Sequence, residues 1–506
     1  MPLSLSRRAA LVLALSLNVA NVAAPRAASA AVGSAGTLSW HRCASSSSDA
    51  IGRTLDRAGA QCAELEVPLD HDHPSDGRTI SLAISRLPAT TPGARHPALA
   101  INPGGPGVPA LDQVLLGIVE PALRRYDLIG MDPRFVGRSS PITCTWPTGT
   151  PLRSAGATAS SFAAAASFQR SLADGCRDAA VARLPYATTA ATADDLDRVR
   201  AALGVPRLSY LGVSYGTMLG AVFLHRHPNR AGRVVLDSAV DPALYGPRLL
   251  SQSGPALEGA LRHWAARTAA RGSSLGRDGA AIVRTVRALQ RTASVRPIDL
   301  AGQRIDGSIL PVLLMGALAD DSPQSYATLA RDVEALRAGA LGGHARRPSV
   351  RLREQLADLL TADGPAADRA GQPIICGDRG APTDPGVYAA DIDAHRAAEP
   401  LFGPVVRNIG PCAFWPQPTP ADAPLDVSSR APVLMVGADH DPLTPRAGQR
   451  AMHRALGGSR LVLQRGAWRH GAFATGSRCI DRAVLAYLGA GRLPRPGAAC
   501  AAPGRP

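Results

Sequence analysis

Short apolar runs, each soon followed by Gly, Pro, Asp or Ser, constrain the fold of this chain more than any other feature. Runs of this kind are typical of parallel strands that are covered on both faces of a sheet. Helical patterns lie between them; one begins near Thr192, with Leu196, Val199 and Leu203 along one stripe. The alternation predicts a doubly wound α/β sheet. The runs are residues 97–101, 126–131, 208–213, 233–237, 432–436 and 460–464.

Two further patterns set the limits of this sheet. Residues 63–69 and 79–87 alternate with period two, as half-buried antiparallel strands do. Residues 243–425 contain Ala- and Arg-rich helical segments but no run of the parallel-strand kind, which predicts a helical cap inserted before the last two core strands. We therefore expect a core in two parts, 31–242 and 426–506, separated by the cap.

The first thirty residues have the organisation of a secretory signal peptide. Arg7 and Arg8 precede an apolar run over 9–24, and a small-x-small cleavage pattern follows at 28–30. The run is too short and too rich in Ala to span a membrane, and no later stretch approaches about eighteen uninterrupted apolar residues. We expect residues 1–30 to be removed and the mature protein to be exported and soluble. The paired arginines leave open both general secretory and twin-arginine export.

Eight cysteines fit an exported chain. An even count in an oxidising compartment favours four disulfides, although eight cysteines allow 105 pairings. They fall into four couples of sequence neighbours, so sequential pairing is the simplest hypothesis. No C-x-x-C spacing is present, so metal binding by cysteine is not expected. The cysteines are Cys43, Cys62, Cys144, Cys176, Cys376, Cys412, Cys479 and Cys500.

The basic charge belongs to the whole chain and not to one face. The sequence has 55 Lys and Arg residues against 40 Asp and Glu, a net charge of +15, yet it contains no Lys at all. Its arginines are dispersed, which argues against a nucleic-acid groove. Hydrophobic residues make up 45% of the 506 positions, enough to bury a large core over two or three domains.

A candidate nucleophile lies where one predicted strand meets the next helix. Residues 212–216 read Gly-Val-Ser-Tyr-Gly, which fits the G-x-S-x-G pattern. A sharp strand-to-helix turn leaves no room for side chains two residues on either side of the nucleophile, hence the glycines. The turn would place the Ser214 hydroxyl at a helix N-terminus, where the dipole and free N–H groups favour a developing anion. The alternative is an ordinary glycine-rich turn.

A second glycine-rich segment follows the strand predicted at 97–101. Residues 102–107 read Asn-Pro-Gly-Gly-Pro-Gly, and only glycine lets the main chain approach an oxyanion closely. We expect the N–H groups of Gly105 and of Tyr215, the residue after the nucleophile, to form an oxyanion hole. Taken alone, the segment also fits a plain Gly/Pro turn.

A serine nucleophile needs a histidine base and a carboxylate that orients the base. Asp441 follows the strand predicted at 432–436, with Asp439 as a rival two residues away. His470 follows the last predicted strand, whereas the other candidate histidines precede that strand or adjoin the acid. The chain order Ser214, Asp441, His470 is the one expected of α/β hydrolases, and differs from the chymotrypsin and subtilisin orders.

No metal or cofactor is expected. His71, Asp72 and His73, with Asp70 and Asp76, lie in a polar turn between the two alternating strands. A solvated loop is the preferred interpretation of this group over a metal site. The sequence contains no H-E-x-x-H, Walker or dinucleotide-binding fingerprint.

Taken together, these motifs resemble those of the secreted tripeptidyl aminopeptidases, relatives of proline iminopeptidase among the α/β-hydrolase serine peptidases. The resemblance runs over most of the chain after the signal peptide. It implies an α/β-hydrolase fold, a triad of Ser214, Asp441 and His470, removal of short peptides from the N-terminus of substrates, and a cap that limits access. Its motifs lie at 102–107, 132–139, 195–197, 210–217, 235–242, 376–378, 412–416, 441–445, 470–471, 477–479 and 487–488.

The chain departs from the pattern of that family in three places. Phe135 stands where the family has Gly, residues 108–110 read Val-Pro-Ala in place of Gly and Ser, and Arg469 precedes His470 where Gly is common. These departures do not affect the predicted triad, but because of them the sequence does not determine the shape of the substrate entrance.

An aminopeptidase must also pair the buried ammonium of its substrate with a carboxylate, because an unpaired buried charge is costly. Acids of the predicted cap are candidates, and exposed helix acids are equally compatible with each position. The candidates include Asp320, Asp321, Asp378 and Glu258.

Three classes of function compete. The leading hypothesis is an exported serine exopeptidase that acts on peptides with a free N-terminus through an acyl-enzyme. The second is an exported carboxylester hydrolase with the same triad, since a fold does not fix a substrate. The third is a non-catalytic binding protein on this scaffold. The sequence leaves open the length of the peptide released and the oligomeric state.

Overall fold

Nine strands form one sheet in the computed structural model, which describes residues 38–93, 96–300, 302–342, 347–361, 367–416 and 425–502. The predicted signal peptide lies outside these residues. The order across the sheet is β1-β2-β4-β3-β5-β6-β9-β10-β11. The strands are β1 (Gln61–Pro68), β2 (Thr79–Leu87), β3 (Ala98–Asn102), β4 (Asp127–Met131), β5 (Leu208–Val213), β6 (Ala231–Asp237), β9 (Val433–Ala438), β10 (Ser459–Gln464) and β11 (Ala499–Cys500).

The pairing confirms the mostly parallel, doubly wound α/β fold. Strand β2 runs antiparallel to both β1 and β4, and every other neighbouring pair is parallel. The alternating segments are therefore the antiparallel edge, and the continuous apolar runs are the parallel centre, where β3 and β9 are buried at every residue. Because the carboxyl ends of parallel strands share one edge of the sheet, the loops after β3, β5, β6, β9 and β10 meet there.

Helices separate the strands and cover the sheet. Within the described residues they are α1 (Ala50–Arg57), α2 (Leu116–Val119), α3 (Ala159–Ala180), α4 (Thr189–Ala202), α5 (Tyr215–Arg226), α6 (Gly254–Ala269), α7 (Gly279–Val295), α8 (Leu310–Ala317), α9 (Pro323–Ala340), α10 (Val350–Leu360), α11 (Ala367–Asp378), α12 (Pro385–His395), α13 (Gly403–Val406), α14 (Arg446–Ala455) and α15 (Arg478–Ala490). None of them is long and apolar enough to cross a membrane.

The segment predicted as a cap has a hydrophobic cluster of its own. Helices α6 to α10 and α13 share this cluster, which includes Leu257, Trp264, Leu313, Leu336 and Phe402. Two other clusters lie against the sheet, one around Tyr210 and Met218 and the other around Leu211 and Leu434. The exact limits of the cap, 243 and 425, stay a prediction.

Two short features differ from the sequence prediction. The cap contains a small antiparallel pair, β7 (Ile298–Leu300) and β8 (Gln303–Ile305), and is therefore not wholly helical. Strand β10 was expected to be the last core strand, but β11 pairs with it in parallel at the sheet edge. Strands of two or three residues are too short to show a period in sequence.

Four disulfides connect the cysteines in sequential order, which confirms that hypothesis. The pairs are Cys43–Cys62, Cys144–Cys176, Cys376–Cys412 and Cys479–Cys500. Their sequence separations run from 19 to 36 residues. Loops of that size are worth about 3–4 kcal/mol each in the chain-entropy model. The pair Cys479–Cys500 also ties the short β11 to helix α15.

Candidate active site

Ser214 sits on a sharp turn between β5 and α5. Its backbone has φ 57° and ψ −123°, a left-handed conformation that costs a non-glycine residue about 1–3 kcal/mol. The flanking glycines are required by close contacts: a Cβ on Gly212 would lie 2.3 Å from the oxygen of Gly216, and a Cβ on Gly216 would lie 2.8 Å from the oxygen of Asn102. The turn therefore presents a half-buried hydroxyl at the N-terminus of α5.

Asp441 and His470 form a hydrogen-bonded pair at the same edge of the sheet. His470 Nδ1 lies 3.1 and 3.0 Å from the two carboxylate oxygens of Asp441. The carboxylate is fully buried and accepts the N–H groups of Leu443 and Thr444, each at 2.9 Å. Burial lowers the pKa of His470, but the negative charge and hydrogen bond of Asp441 outweigh it and raise the pKa above its ordinary value. The rival Asp439 instead pairs with Arg446.

Thr444 is a member of this group that the sequence analysis missed. Its hydroxyl donates to Asp441 Oδ2 at 2.9 Å and lies 3.3 Å from His470 Nδ1. It therefore holds Oδ2, one of the two carboxylate oxygens that lie within 3.1 Å of the imidazole. Its sequence signals are its position three residues after the acid and its place in the family motif at 441–445.

Asp237 and Ser238, at the end of β6, bring the nucleophile turn and the histidine loop together. The main-chain oxygen of Asp237 accepts the N–H of Ser214 at 3.0 Å, and Ser238 Oγ accepts the N–H of Gly471 at 2.8 Å. The Asp237 carboxylate accepts the N–H groups of the next two residues of the loop. Within the described residues Ser214 Oγ makes no hydrogen bond; such contacts often tighten only when substrate binds.

The glycine-rich loop after β3 lies against Ser214. A Cβ on Gly104 would come within 3.0 Å of Ser214 Cβ and 2.6 Å of the Val213 oxygen. The N–H of Gly104 already donates to Asn102 Oδ1 at 3.0 Å, whereas the N–H of Gly105 makes no hydrogen bond among the described residues. An unpaired N–H in the loop that contacts Ser214 is a candidate donor to an oxyanion.

Tyr215 contributes a second N–H group that makes no hydrogen bond within the part of the chain that the structure describes, because the first residue of a helix has no intrahelical partner for it. Its ring anchors this position: the hydroxyl lies 2.9 Å from Thr189 Oγ1, which donates to Asp378. Burial raises the pKa of Asp378 to about 6. A buried network therefore holds the residue that follows the candidate nucleophile.

A cavity of about 180 Å³ opens beside the loop that carries Gly105. Its walls are mostly apolar and come from the loop, from α11 and from the segment around Val405. Its polar lining is Arg153, Gln169, Gln372 and Asn408, and no carboxylate lies among its described residues.

Comparison with known proteins decides the family. The profile of the α/β-hydrolase fold matches residues 97–295, and that of TAP-like proteins matches residues 399–500. A tripeptidyl aminopeptidase of Streptomyces lividans is 31% identical over 87% of this chain and 83% of its own length. The chain belongs to the tripeptidyl aminopeptidase family of α/β hydrolases. It is therefore a serine hydrolase.

Other relatives in this family have different names. Serine protease Hip1 of Mycobacterium tuberculosis is 31% identical, over 87% of both chains. A protein of the same organism that is named carboxylesterase B is also 31% identical, over 92% of this chain and 90% of its own. Membership of the family therefore fixes hydrolysis more firmly than it fixes peptide or ester as the substrate.

The four cap acids suggested as ligands of a substrate ammonium all form hydrogen bonds within the protein. Each accepts hydrogen bonds from the protein itself, so the structure offers no reason to assign that role to any of them. Asp320 bonds Ser322 and Ser325, Asp321 bonds Trp468 and Arg469, Asp378 bonds Thr189 and Tyr245, and Glu258 bonds the N–H groups of Leu401 and Phe402.

The loop with His71 is mostly exposed to solvent, as its sequence interpretation preferred, and Asp72, His73 and Asp76 are all exposed. One side chain of the loop is packed against the core instead: His71 is only 9% exposed. Its Nε2 atom lies 2.8 Å from both Asp195 of helix α4 and Arg134 of the loop after β4, which form a buried ion pair. His71 thus ties the loop to the core. No group of three or more potential metal ligands occurs among the residues the structure describes.

Proposed function

We propose that this protein is an exported serine exopeptidase that removes short peptides from the free N-terminus of its substrates. Ser214 is the nucleophile, His470 the general base and acid, and Asp441 the group that orients the imidazole. The N–H groups of Tyr215 and Gly105 receive the oxyanion. The observation that carries the proposal is the buried Asp441–His470 pair at the sheet edge where the strained turn presents Ser214.

The chemistry follows from the two ring nitrogens. Nδ1–H donates to Asp441, which leaves the lone pair of Nε2 to accept the proton of Ser214 as Oγ bonds to the scissile carbonyl carbon. When the C–N bond breaks, His470 returns that proton to the departing amine. In the second half of the reaction His470 takes a proton from a water molecule as the water oxygen bonds to the acyl carbon. The bond between that carbon and Ser214 Oγ then breaks, His470 returns the proton to Oγ, and the acyl group leaves as a carboxylic acid.

Export is part of the proposal. The charged start, apolar middle and small-residue end of residues 1–30 support it, and so do four disulfides, which persist in oxidising compartments. Sequencing the N-terminus of protein recovered from the medium or envelope tests it; a first residue near 31 is the expected result, and retention of Met1 in the mature protein would contradict it.

A carboxylester hydrolase is the second candidate, favoured by the cavity with no carboxylate and by the relative named carboxylesterase B. A matched substrate series separates the two functions: a tripeptide amide with a free amine, its N-acetyl derivative, and the corresponding ester. An exopeptidase loses kcat/KM on acetylation, whereas an esterase cleaves the ester and neither amide. Equal cleavage of the free and acetylated amides would refute recognition of the N-terminus.

Product lengths complete this test. Mass spectrometry of digests from a mixed pool of peptides reports the size of each fragment that is released. Release of tripeptides from one end is the expected result, with Ser214→Ala as the inactive control. Cleavage at internal bonds would reassign the protein as an endopeptidase.

A further inference from the structure

The loop that carries His470 is held by a segment of the cap. This segment, residues 319–321, joins α8 to α9. The oxygen of Ala319 accepts the N–H of His470 at 2.9 Å. Asp321 Oδ2 accepts the N–H of Trp468 at 2.8 Å, and Oδ1 accepts Arg469 Nε at 2.6 Å. Three consecutive residues of the loop are therefore bonded to the cap.

These bonds lie in a partly desolvated place, where they are strong. The side chains of Asp321 and Arg469 are 8% and 13% exposed, and Arg469 Nη2 also pairs with Oδ1. Hydrogen bonds between ionised groups are about twice as strong as neutral ones, and limited contact with water preserves their strength. Both oxygens of Asp321 are thus occupied by the loop.

The ring of Trp468 adds a second contact between cap and core. It stacks on His263 of α6 with the centroids 4.7 Å apart, and on His440 beside the acid with the centroids 4.1 Å apart. A Cβ on Gly259 would lie 3.2 Å from the indole, so α6 is closely packed against it. The indole therefore lies between a ring of the cap and a ring of the acid loop.

The other half of the histidine loop is held by the core. Gly471 and Ala472 donate to Ser238 and Asp237, as described above. His470 is the junction between the half held by the cap and the half held by the core. The position of its imidazole against Asp441 therefore depends on both sets of bonds.

We propose that Asp321 is a positioning residue for catalysis: through Trp468 and Arg469 it fixes the loop so that His470 faces Asp441 and Ser214. The inference rests on the proposed function of that triad. In this proposal the cap helps to position the catalytic base, in addition to any effect it has on substrate access. A displacement of about 1 Å at a reacting group can cost about 100-fold in rate.

Asp321→Asn tests this, because it removes the ion pair and one strong acceptor with little change in volume. We expect kcat to fall by about 10- to 100-fold while KM changes by less than about twofold. The acid limb of the rate profile should move to lower pH as His470 loses part of its contact with Asp441. Asp321→Glu, which keeps the charge and both acceptors, should retain more of kcat.

Glu258→Gln is the matched control. Glu258 is also a buried cap carboxylate that accepts two backbone N–H groups and pairs with an arginine, Arg287, but these partners all lie within the cap. We expect this variant to lose stability and keep kcat. Equal losses of kcat in Asp321→Asn and Glu258→Gln would overturn the inference, as would unchanged kinetics and pH profile in Asp321→Asn.

Hydrogen exchange of residues 467–473 gives a readout that does not need activity. Asp321→Asn should speed exchange there and not in β9 or β5, and Arg469→Ala, which keeps the Trp468 bond, should do so to a smaller extent. If the wild-type protein cleaves no substrate, the proposed function fails, while exchange still tests the contact. Unaltered exchange in both variants would overturn the positioning role.

Discussion

His470 Nδ1 lies 3.0 Å from Oδ2 of Asp441, a buried carboxylate that precedes it by 29 residues. Because a carboxylate only accepts, the pair fixes the tautomer with hydrogen on Nδ1 and leaves Nε2 free to take a proton. The N–H groups of Leu443 and Thr444 hold the carboxylate in turn. This relationship determines how activity should depend on pH.

The acid limb of kcat/KM should report His470. Only its neutral form accepts the proton of Ser214. Burial lowers the pKa of His470, but Asp441 raises it above the ordinary 6.5, so kcat/KM should fall to half its maximum, as the pH is lowered, while the pH is still above 6.5. In Asp441→Asn the raising charge is absent, the midpoint should move down, and kcat should fall by about 10⁴-fold. Initial rates from pH 5 to 9 on one substrate check both expectations; an unmoved midpoint would show that another group controls the limb.

Gly104→Ala should impair catalysis by crowding Ser214, the proposed nucleophile. The new Cβ would lie 2.6 Å from the Val213 oxygen at a φ of +105°, so the loop with Gly105 must withdraw from Ser214. Loss of one oxyanion donor costs about 10²- to 10³-fold in kcat.

Gly77→Ala is the matched control for that substitution. Gly77 has a φ of +78° with nothing within 4 Å of the added Cβ, so it carries the backbone strain without the crowding. It should lower the free energy of unfolding by about 1 kcal/mol and leave kcat unchanged. Comparable losses of kcat in the two variants would contradict the placement of the loop beside the nucleophile.

Asp237 should make stability depend on pH. Burial raises its pKa to about 6, above the ordinary 3.8, so the native state holds a proton that the unfolded chain releases between these values. The free energy of unfolding therefore falls as pH rises from about 4 to 6, by about 3 kcal/mol for this group. Asp237→Asn removes that contribution.

The measurement is urea unfolding of both proteins from pH 4 to 7. Asp237→Asn should be the less stable of the two, because its amide oxygen can replace Oδ2 as the acceptor for Ala472 and Phe473, but its NH2 group takes the place of Oδ1, which also accepts the N–H of Ala472. The difference between the proteins should shrink as pH rises. The other buried acids titrate alike in both and cancel. A difference that is constant with pH would refute the shifted pKa.

The disulfide Cys376–Cys412 should stabilise the wall of the cavity beside Gly105. It closes a loop of 36 residues between α11 and the segment at 411–414. Replacing both cysteines with Ala should cost about 4 kcal/mol of the free energy of unfolding in the chain-entropy model. Denaturant unfolding of the double variant checks this; an unchanged midpoint would mean that the wall is held by packing alone.

The sequence was sufficient for the central strands because each is buried on both faces. The run predicted at 208–213 is strand β5 itself, and that predicted at 432–436 is shifted by only one or two residues. The turn at Ser214 could also be predicted from the sequence, because close backbone contacts require glycine at fixed positions around it.

Contacts between distant segments could not be predicted from the sequence. Asp321 lies 147 residues before Trp468, and no local pattern shows that its carboxylate is occupied by the histidine loop. The same holds for His71, whose partner Asp195 is 124 residues away. Partners of this kind are determined by how the cap and the loops pack, and patterns of period two or 3.6 carry no information about that packing.

The most direct test of the account is the reaction with a fluorophosphonate, which modifies a serine only when a base activates it. Peptide mapping of the wild-type protein should locate one adduct, on Ser214. Ser214→Ala should take up none and show no turnover while it remains folded, and His470→Ala should react far more slowly. An adduct on another residue, no adduct on the folded wild-type protein, or turnover by Ser214→Ala would contradict the account.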